Sequence, residues 1–349
     1  MIILGIETSC DETAASLIKF NKRSSRLLVL SNIVSSQINI HKKYGGVIPE
    51  IAARAHVGQI IPVIHNALKK AKINYKKIDY IAVTKGPGLI TSLLSGVETA
   101  RVLAFAWHKP IIEVNHIEGH IYANFIDNYK KIKFPAIILT VSGGHTNLIL
   151  MTGNHKLKII GETLDDAAGE AYDKAAKMMN LGYPGGPIIS KQAEIYTNSL
   201  KNQSDKSEIN LPRPMLNDKS FNFSFSGLKT ALLYKLQKDK NWQKKIPEYC
   251  YKFQEAVNDV LIKKTIKAAQ KYQAKSVMLS GGVSANYDLR TKMETSVQEN
   301  LKNTPFFTPN LKYTTDNAAM IASAGVFCAL AGKTKKFSQI KADPNWNIR

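Results

Sequence analysis

The sequence predicts an α/β protein built from two lobes that share one mixed-sheet topology. Apolar strands alternate with helical stretches along the chain, as expected of sheets that are covered by helices. An apolar strand, a polar turn and a second apolar strand open the chain at 1–20, and this arrangement recurs at 135–151. The weak internal repeat predicts that the same unit opens each lobe. We expect residues 1–132, completed by 312–349, to form lobe I and residues 133–311 to form lobe II.

Four further elements and a turn are predicted in lobe I. Apolar periodicity predicts a long helix at 49–71 and a second helix at 89–107. Short apolar runs predict strands at 78–84 and 110–114. The glycine-proline turn "KGPG" at 85–88 separates the first of these strands from the second helix. Strands that alternate with helices in this way indicate a mixed sheet.

The second half of the chain repeats the alternation around one irregular region. Helices are predicted at 165–179 and 316–332, and "GYPGGP" at 182–187 is predicted to act as a helix breaker. Residues 195–220 are polar and are predicted to form a loop. At 276–290 an apolar strand leads through a glycine turn into the start of a helix. A polar tail follows the last helix.

Composition excludes membrane-spanning and disulfide-stabilised proteins. The chain has 349 residues, is 44% hydrophobic and contains no run of eighteen apolar residues, so we expect a globular protein without a membrane span. The opening "MIILGIETSCDET" lacks the basic region and the cleavage site of an export signal and is predicted to be the first strand. Cys10, Cys250 and Cys328 are odd in number and far apart. This usage favours a reducing, cytoplasmic location.

The charge favours a polyanionic partner. Lysine and arginine number 48 against 27 acidic residues, which gives a formal net charge of +21. Neutralising phosphates releases condensed counterions, so the basic clusters at 41–46, 69–77, 129–133 and 333–336 could contact nucleic acid. They could equally be solvated faces, because lysine dominates and no arginine-rich or aromatic-studded recognition module is visible.

Three turns of similar chemistry follow apolar strands. They are "ETSCDETA" at 7–14, "TVSGGHTN" at 140–147 and "LSGGVSAN" at 279–286. Small residues at the carboxyl end of a strand let backbone N–H groups approach a ligand, and hydroxyl groups add donors. A single turn of this kind is common in proteins of many functions. Three together favour a cleft for a phosphate-bearing ligand, although the patterns of P-loop and Rossmann sites are absent from the sequence.

A histidine pair in "VNHIEGH" is a candidate metal site. His116 and His120 lie four residues apart, on one face of a helix that is predicted to follow a strand. Zinc peptidases of the HExxH type place their glutamate base directly after the first histidine, where this chain has Ile117, and Glu118 points elsewhere. A carboxylate from another segment would complete the ligand set. Asp316 is a candidate, with the cap of the last helix as its alternative role.

Taken in order, the motifs resemble those of one known family. They are "GIETSCDETA", "KGPGLITSLLSG", "NHIEGH", "TVSGGHT", "DDAAGEAYDK", "GYPGGP", "FSFSGLKT", "LSGGVSAN" and "TDNAAMIA". This set, from about residue 2 to about residue 330, resembles the bacterial tRNA N6-adenosine threonylcarbamoyltransferase family, which belongs to the actin/Hsp70/sugar-kinase superfold. The resemblance implies an actin-like ATPase fold of two lobes with an inter-lobe cleft. The basic tail after Gly332 matches no motif of the family.

The resemblance also implies a reaction, a metal and partners. The family transfers a threonylcarbamoyl group from threonylcarbamoyl-AMP to N6 of adenosine 37 in tRNAs that read codons starting with A, a modification called t6A. The residues that match its metal ligands, for iron (Fe2+) or zinc (Zn2+), are His116, His120 and Asp316. The residues that match its adenylate contacts are Thr140, Val141, Ser142, Gly143, Gly144, Asp173, Gly186 and Asn286. The implied partners are the tRNA anticodon stem-loop, a paralogous same-fold subunit (TsaB-like) and a small P-loop ATPase (TsaE-like).

Roles for three carboxylates remain open at the level of sequence. Asp11 and Glu12, at the tip of the first turn, are candidates for the general base or for holding the attacking amine. Their alternative role is an Asx-type turn. Asp173 is expected to accept hydrogen bonds from ribose hydroxyls, and its alternative is a solvated helical carboxylate facing Lys174 or Lys177.

Three other functions compete with the transferase. A small-molecule kinase of the same superfold would use the glycine turns for ATP but has no use for the histidine pair. A non-catalytic scaffold would lack the three metal ligands that this chain keeps. A peptidase is disfavoured by the position of Glu118.

Overall fold

The computed structural model describes residues 1–200 and 207–348. In these stretches the strands are β1 (Ile2–Glu7), β2 (Glu12–Asn21), β3 (Arg26–Ser36), β4 (Tyr80–Gly86), β5 (Ile111–Asn115), β6 (Ala136–Val141), β7 (Thr146–Gly153), β8 (Lys156–Glu162), β9 (Ser276–Ser280) and β10 (Phe306–Phe307). The helices are α1 (Ile38–His41), α2 (Pro49–Ala71), α3 (Ile90–Trp107), α4 (His116–Ala123), α5 (Phe125–Asn128), α6 (Ala168–Met178), α7 (Gly185–Ser199), α8 (Ser226–Lys238), α9 (Ile246–Lys271), α10 (Tyr287–Asn300) and α11 (Ala318–Leu330).

The chain divides into two compact units. Unit 1 comprises 1–133, 151–158 and 307–349, and unit 2 comprises 134–150 and 159–306. The hairpin tip 151–158, which lies inside the range expected for lobe II, belongs to unit 1. There the backbone N–H of His155 donates to the hydroxyl of Tyr122 at 3.0 Å.

Unit 1 is organised around a five-stranded mixed sheet of order β3-β2-β1-β4-β5. β1 and β2 pair antiparallel, as do β2 and β3, whereas β4 is parallel to both β1 and β5. Side chains alternate between the two faces of a strand. Leu4 and Ile6 of β1 accordingly pack in the apolar cluster formed with α2 and α3. Gly5 faces the other way, where an added Cβ would overlap the backbone of α11 at Ala318.

Helix α11 is an almost completely buried apolar helix on that second face of the unit 1 sheet. Ala318 through Cys328 are all buried, and an added Cβ at Gly325 would touch Ala82 of β4. Small residues therefore let the helix lie close to the strands, and its start brings Asp316 to the sheet. α11 has only 13 residues. Across 1–200 and 207–348, no helix combines the length and the apolarity needed to cross a membrane.

Unit 2 repeats the topology of unit 1. Its sheet has the order β10-β9-β6-β7-β8, and β6 is parallel to β9. The consecutive strands β6, β7 and β8 occupy the places of β1, β2 and β3, while β9 and β10 occupy those of β4 and β5. The repeat predicted from the two opening hairpins is confirmed, and with it the two mixed sheets.

Several elements differ from the sequence prediction. Helix α7 begins at Gly185, inside the predicted helix breaker, and continues to Ser199, inside the predicted loop. Residues 207–220 contain no helix or strand, and 201–206 lie outside the described residues. Strands β3, β8 and β10 and helices α8 and α9 are among the elements without a counterpart in the sequence prediction. The start of α7 depends on a distant contact, because the carboxylate of Asp173 accepts from the N–H of Gly185 at 2.7 Å.

Candidate active site

The histidine pair lies at a strand-to-helix junction in unit 1. β5 ends at Asn115 and α4 begins at His116. The Oδ1 atom of Asn115 accepts from the N–H groups of Ile117 (2.9 Å) and Glu118 (3.3 Å), which caps the helix. One turn later, the ring of His120 lies 4.7 Å from that of His116, measured between centroids. The predicted position of the pair, after a strand and at the start of a helix, is thus found.

Asp316 lies beside both imidazoles. Its Oδ1 atom is 3.5 Å from Nε2 of His116 and 3.2 Å from Nε2 of His120. The alternative role as helix cap belongs to its neighbour, because Oδ1 of Asn317 accepts from the N–H of Met320 at 3.1 Å. Cap and carboxylate are therefore separate residues.

The three side chains fit a divalent cation. One ligand atom from each of His116, His120 and Asp316 lies within 4.8 Å of the others. His120 is 1% exposed, and neither of its ring nitrogens has a hydrogen-bond partner in the part of the chain that the structure describes. Its Nε2 is close to Asp316 but lacks the geometry of a hydrogen bond. Buried polar atoms without partners are costly, and a metal ion would satisfy them. Two imidazoles and a carboxylate suit zinc or iron(II).

Glu7 orients His116 from the other side of the ring. Nδ1 of His116 lies 3.2 Å from Oε2 of Glu7 and 3.0 Å from Oγ of Ser9. The carboxylate of Glu7 also accepts from the N–H of Ser9 (2.5 Å) and the hydroxyl of Thr84 (2.6 Å). This contact assigns the imidazole proton to Nδ1 and leaves Nε2 directed toward Asp316, as in other carboxylate-histidine-metal arrangements.

Charges around His116 determine its protonation in the metal-free protein. Burial alone would lower its pKa, but the carboxylates of Asp316 and Glu7 raise the pKa to about 9. Burial alone would raise the pKa of Glu7, yet the neighbouring His116 holds the pKa of that carboxyl below its usual value. The metal-free site therefore carries an imidazolium flanked by carboxylates, and a cation that binds there must displace the proton.

Glu7 and Ser9 are the site residues that sequence reasoning missed. Both lie in "GIETSCDETA", a motif read only for its turn and for Asp11 and Glu12. A buried glutamate at the carboxyl end of a central strand was the available signal, because such a charge needs a partner.

Asp11 and Glu12 lie at the same edge of unit 1. The backbone of Asp11 is held by Gln37, whose N–H donates to the Asp11 carbonyl at 3.1 Å. Glu12 opens β2 and accepts from the hydroxyl of Ser36 at 3.2 Å. Burial, followed by the charges of Asp316 and Asp11, raises the pKa of Glu12 well above its usual value. A carboxyl with a raised pKa is suited to proton transfer near neutral pH.

The glycine turn after β6 presents exposed backbone in unit 2. Gly143 and Gly144 are exposed, and an added Cβ at either would meet nothing within 4 Å. The turn is held at Ser142, whose carbonyl accepts from the N–H of Gly169 at 3.2 Å. Thr140 and Val141 are completely buried, and the hydroxyl of Thr140 lies 3.1 Å from that of Ser280, so neither residue exposes surface at this turn.

Asp173 lies in a constrained position and not on a solvated helix face. Its carboxylate accepts from the N–H of Gly185 at 2.7 Å, and burial raises its pKa. The alternative partner Lys174 instead pairs with Asp166 (2.7 Å) and Glu170 (2.8 Å). Asp173 therefore supports the turn that leads into α7.

Asn286 is held by its own unit. Its Oδ1 accepts from the N–H of Leu289 at 2.8 Å and caps α10. Its amide group donates to the hydroxyl of Ser190 (2.9 Å) and to Oε1 of Gln254 (2.7 Å). Gly186 differs, because an added Cβ there would meet nothing within 4 Å. Of these two predicted contacts, Gly186 leaves open space, whereas the side chain of Asn286 is already engaged.

Comparison with protein families gives one match over most of the chain. The model of the TsaD family, described as tRNA N6-adenosine threonylcarbamoyltransferase, matches residues 28–323. Curated proteins of that description are similar over at least nine tenths of their length. The protein from Thermosipho africanus is 48% identical over 100% of both chains. The protein from Bacillus subtilis is 50% identical over 93% of this chain and 90% of its own.

Solved structures show the fold. HypF from T. kodakarensis matches 95% of this chain and 48% of its own with a TM-score of 0.60 and 14% identity. The activator of the 2-hydroxyisocaproyl-CoA dehydratase from Clostridium difficile, solved with bound ADPNP, matches 96% of this chain and 98% of its own with a TM-score of 0.50 and 12% identity. The likeness to these two structures concerns the fold, which is the actin-like ATPase fold with two mixed sheets of matching topology.

Proposed function

Because this chain belongs to the tRNA N6-adenosine threonylcarbamoyltransferase family and forms t6A at position 37 of tRNA, we propose that His116, His120 and Asp316 hold the metal of this reaction. The observation that carries the proposal is His120, a buried imidazole with no hydrogen bond from either nitrogen in the described residues. The donor set suits Fe2+ and Zn2+ alike. When bound, such an ion supplies a Lewis acid that can bind and polarise the threonylcarbamoyl group.

The residues around the ligands prepare them for metal. Glu7 keeps the proton of His116 on Nδ1 and so offers Nε2 as a ligand. Asn115 and Asn317 cap α4 and α11, so the two helices that carry the ligands begin at defined residues. The site is thereby preorganised by rigid elements.

We infer that the turn at 142–144 holds the adenylate. Exposed glycines with open space allow backbone N–H groups to approach a phosphate closely. A fold neighbour, the dehydratase activator, binds the nucleotide analogue ADPNP, which supports a nucleotide site on this fold. Thr140 and Val141 are completely buried and would support this turn from the strand that precedes it. Gly186 would admit the sugar.

Asp173 and Asn286 take the remaining adenylate roles in this proposal. Asp173 retains a second carboxylate oxygen that can accept from the ribose hydroxyls. Asn286 would act mainly by fixing the start of α10, because its amide is already bonded to Ser190 and Gln254. Its contact with the ligand would then be through the acceptor capacity left on Oδ1.

The chemical step joins the adenosine amine to the carbamoyl carbon. N6 attacks the carbonyl carbon, a C–N bond forms, and the C–O bond to the phosphate breaks as AMP leaves. The proton lost by N6 needs an acceptor, and Asp11 and Glu12 are the candidates at this edge of unit 1. An exocyclic amine is a poor nucleophile, so positioning contributes much of the rate.

We infer that a basic surface on unit 1 contacts the tRNA backbone. A cavity of about 270 Å³ is lined by the turn at 24–27 and by the segment 126–131. Arg26, Lys130 and Lys131 line this cavity and are exposed. Two segments about a hundred residues apart thus combine their positive charge on one surface. We name the set of Arg26, Lys130 and Lys131 the hairpin basic surface, and we propose that it binds phosphates of the anticodon stem-loop.

The proposed protein partners are the paralogous same-fold subunit and the small P-loop ATPase. Apolar side chains are exposed on the neighbouring helices α2 and α3, including Val57, Ile61, Val102 and Phe105. Exposed apolar surface of this kind marks protein contacts, and we propose that the paralogous subunit docks there. The double variant Val57→Glu/Ile61→Glu should abolish co-sedimentation of the paralogous subunit with this chain.

A cytoplasmic location is consistent with three free cysteines.

The proposed metal site is tested by metal content and single-turnover transfer together. We expect one bound ion per wild-type chain after dialysis, and loss of both the ion and the transfer in His120→Ala and Asp316→Asn. His65→Ala, which alters an exposed histidine of α2, is the matched control. Full transfer by a metal-free His120→Ala protein would refute the metal site but would leave the family assignment unchanged.

Phosphoryl transfer from ATP to a small molecule by the wild-type protein would instead support the competing kinase function.

A further inference from the structure

The basic tail that matched no family motif runs along the edge of the unit 1 sheet. Lys335 exchanges both backbone hydrogen bonds with Ile111 of the edge strand β5, at 3.1 and 2.8 Å. Farther on, Ile340 is completely buried in the core formed with α2 and α3. An edge strand is usually covered by other parts of the chain, which accounts for the contact of Lys335 with β5. The residues after Ile340 make further contacts that this role does not explain.

The end of the tail contacts the residue that caps the metal helix. The amide Nδ2 of Asn115 donates to the backbone carbonyl of Trp346 at 2.6 Å. The Oδ1 of the same side chain caps α4, and His116 is the next residue. Trp346 thereby holds the side chain that defines where α4 begins.

The same segment holds the turn between β4 and α3. The N–H of Asp343 donates to the carbonyl of Lys85 at 2.9 Å, and the N–H of Gly88 donates to the carbonyl of Pro344 at 3.3 Å. The ammonium of Lys85 lies 4.7 Å from the ring centroid of Trp346, a cation–π contact. An added Cβ at Gly86 would overlap the Asp343 carbonyl, so the tail and this turn are closely packed.

The turn between β4 and α3 also holds Ser9, which lies beside His116. The N–H of Leu89 donates to the carbonyl of Ser9 at 2.8 Å, and an added Cβ at Gly88 would collide with the same carbonyl. The hydroxyl of Ser9 lies 3.0 Å from Nδ1 of His116. Two separate routes, through Asn115 and through Ser9, therefore connect residues 343–346 to one imidazole.

We propose that residues 343–346 form a positioning clamp that fixes His116 for metal binding. The proposal rests on the metal site of the proposed function. The clamp contains no ligand. It restricts the start of α4 and the Ser9 turn, which together set the orientation of the His116 ring. Groups that orient metal ligands typically change metal affinity by 10- to 100-fold when they are removed.

The first test removes one contact of the clamp in the full-length protein. Asn115→Ser keeps a good helix cap but lacks the amide that reaches Trp346. We expect about tenfold weaker Co2+ binding and an altered visible absorption spectrum of the bound Co2+. A residue that only stabilised the fold would lower the melting temperature without changing that spectrum.

A pair of truncations decides the question if Asn115→Ser folds poorly. Removing 343–349 deletes the clamp, whereas removing 347–349 leaves it in place. We expect weaker Co2+ binding only in the longer deletion. Equal affinity and identical spectra in both deletions, with wild-type binding intact, would overturn the clamp. Failure of the wild-type protein itself to bind Co2+ would instead refute the proposed metal site, so the two failures are distinguishable.

Discussion

Glu7 and His116 form a buried pair in which Oε2 of the carboxylate lies 3.2 Å from Nδ1 of the imidazole. The glutamate is completely buried, at the carboxyl end of the central strand β1. A buried carboxylate needs compensation, and here Ser9, Thr84 and the imidazole supply it. The pair therefore holds the His116 ring with one nitrogen engaged and the other directed toward Asp316.

Replacing the carboxylate of Glu7 should weaken metal binding. Glu7→Gln keeps the shape but removes the charge that fixes the proton on Nδ1. We expect metal affinity to fall about 10- to 100-fold, measured by competition with a chromophoric chelator. Glu118→Gln is the matched control, since Glu118 lies on the same helix but pairs with His155 at 3.3 Å. An equal loss in both variants would contradict the orienting role of Glu7.

Metal binding should strengthen as the pH rises toward 9. In the metal-free protein the carboxylates of Asp316 and Glu7 raise the pKa of His116 to about 9, so a proton must leave before the ion binds. The apparent affinity should increase about tenfold per pH unit between roughly 6.5 and 9, and then level off. Titration of Zn2+ at several pH values, with proton release measured alongside, checks this. A flat profile over this range would contradict it.

The same raised pKa makes the stability of the metal-free protein depend on pH in the opposite direction. A group whose folded pKa is raised stabilises the fold fully below its unfolded pKa, about 6.5 for histidine. That contribution is lost as the pH rises through about 9. We therefore expect the metal-free protein to be less resistant to urea at pH 9.5 than at pH 6.5, and His116→Gln to lack this part of the dependence.

Two glycines of unit 2 should respond oppositely to alanine. Gly281 has a φ of +85°, and an added Cβ would overlap the Val141 carbonyl. Gly281→Ala should lower the free energy of unfolding by about 1–3 kcal/mol or more. Gly143→Ala should leave it unchanged or raise it by up to about 1 kcal/mol, yet weaken binding of AMP if the 142–144 turn holds the phosphate. Urea denaturation measures the free energy of unfolding, and titration with AMP measures binding. Unchanged AMP binding in Gly143→Ala would contradict the proposal that the 142–144 turn holds the adenylate.

Charge reversal on the hairpin basic surface should weaken tRNA binding and reduce its salt dependence. The triple variant Arg26→Glu/Lys130→Glu/Lys131→Glu removes proposed phosphate contacts, and the slope of log affinity against log salt should fall by about 1 for each phosphate that is no longer neutralised. Filter binding of the anticodon stem-loop at several salt concentrations measures this. Lys69→Glu/Lys70→Glu/Lys77→Glu makes the same charge change in the 69–77 cluster. An equal loss of affinity there would mean that net charge, and not this surface, determines binding.

The candidate site was partly accessible from sequence. The spacing of His116 and His120 indicated a shared face of one helix, and the strand before them was recognisable as an apolar run. Asp316 was one candidate among carboxylates, and only the resemblance to the family selected it. Glu7 was missed because a glutamate in a strand shows its importance only through burial and through the partner that burial requires.

Local patterns along the chain determined the class of fold and the repeated hairpins of the two units, because apolar periodicity follows directly from which side chains face a core. Tertiary structure alone decided the contacts that join distant segments. It placed Asp316 beside His116 and His120, which lie far earlier in the chain, and it brought the tail to the cap of α4 at Asn115. Such contacts depend on how strands and helices pack in three dimensions, which neighbouring residues in the sequence do not specify.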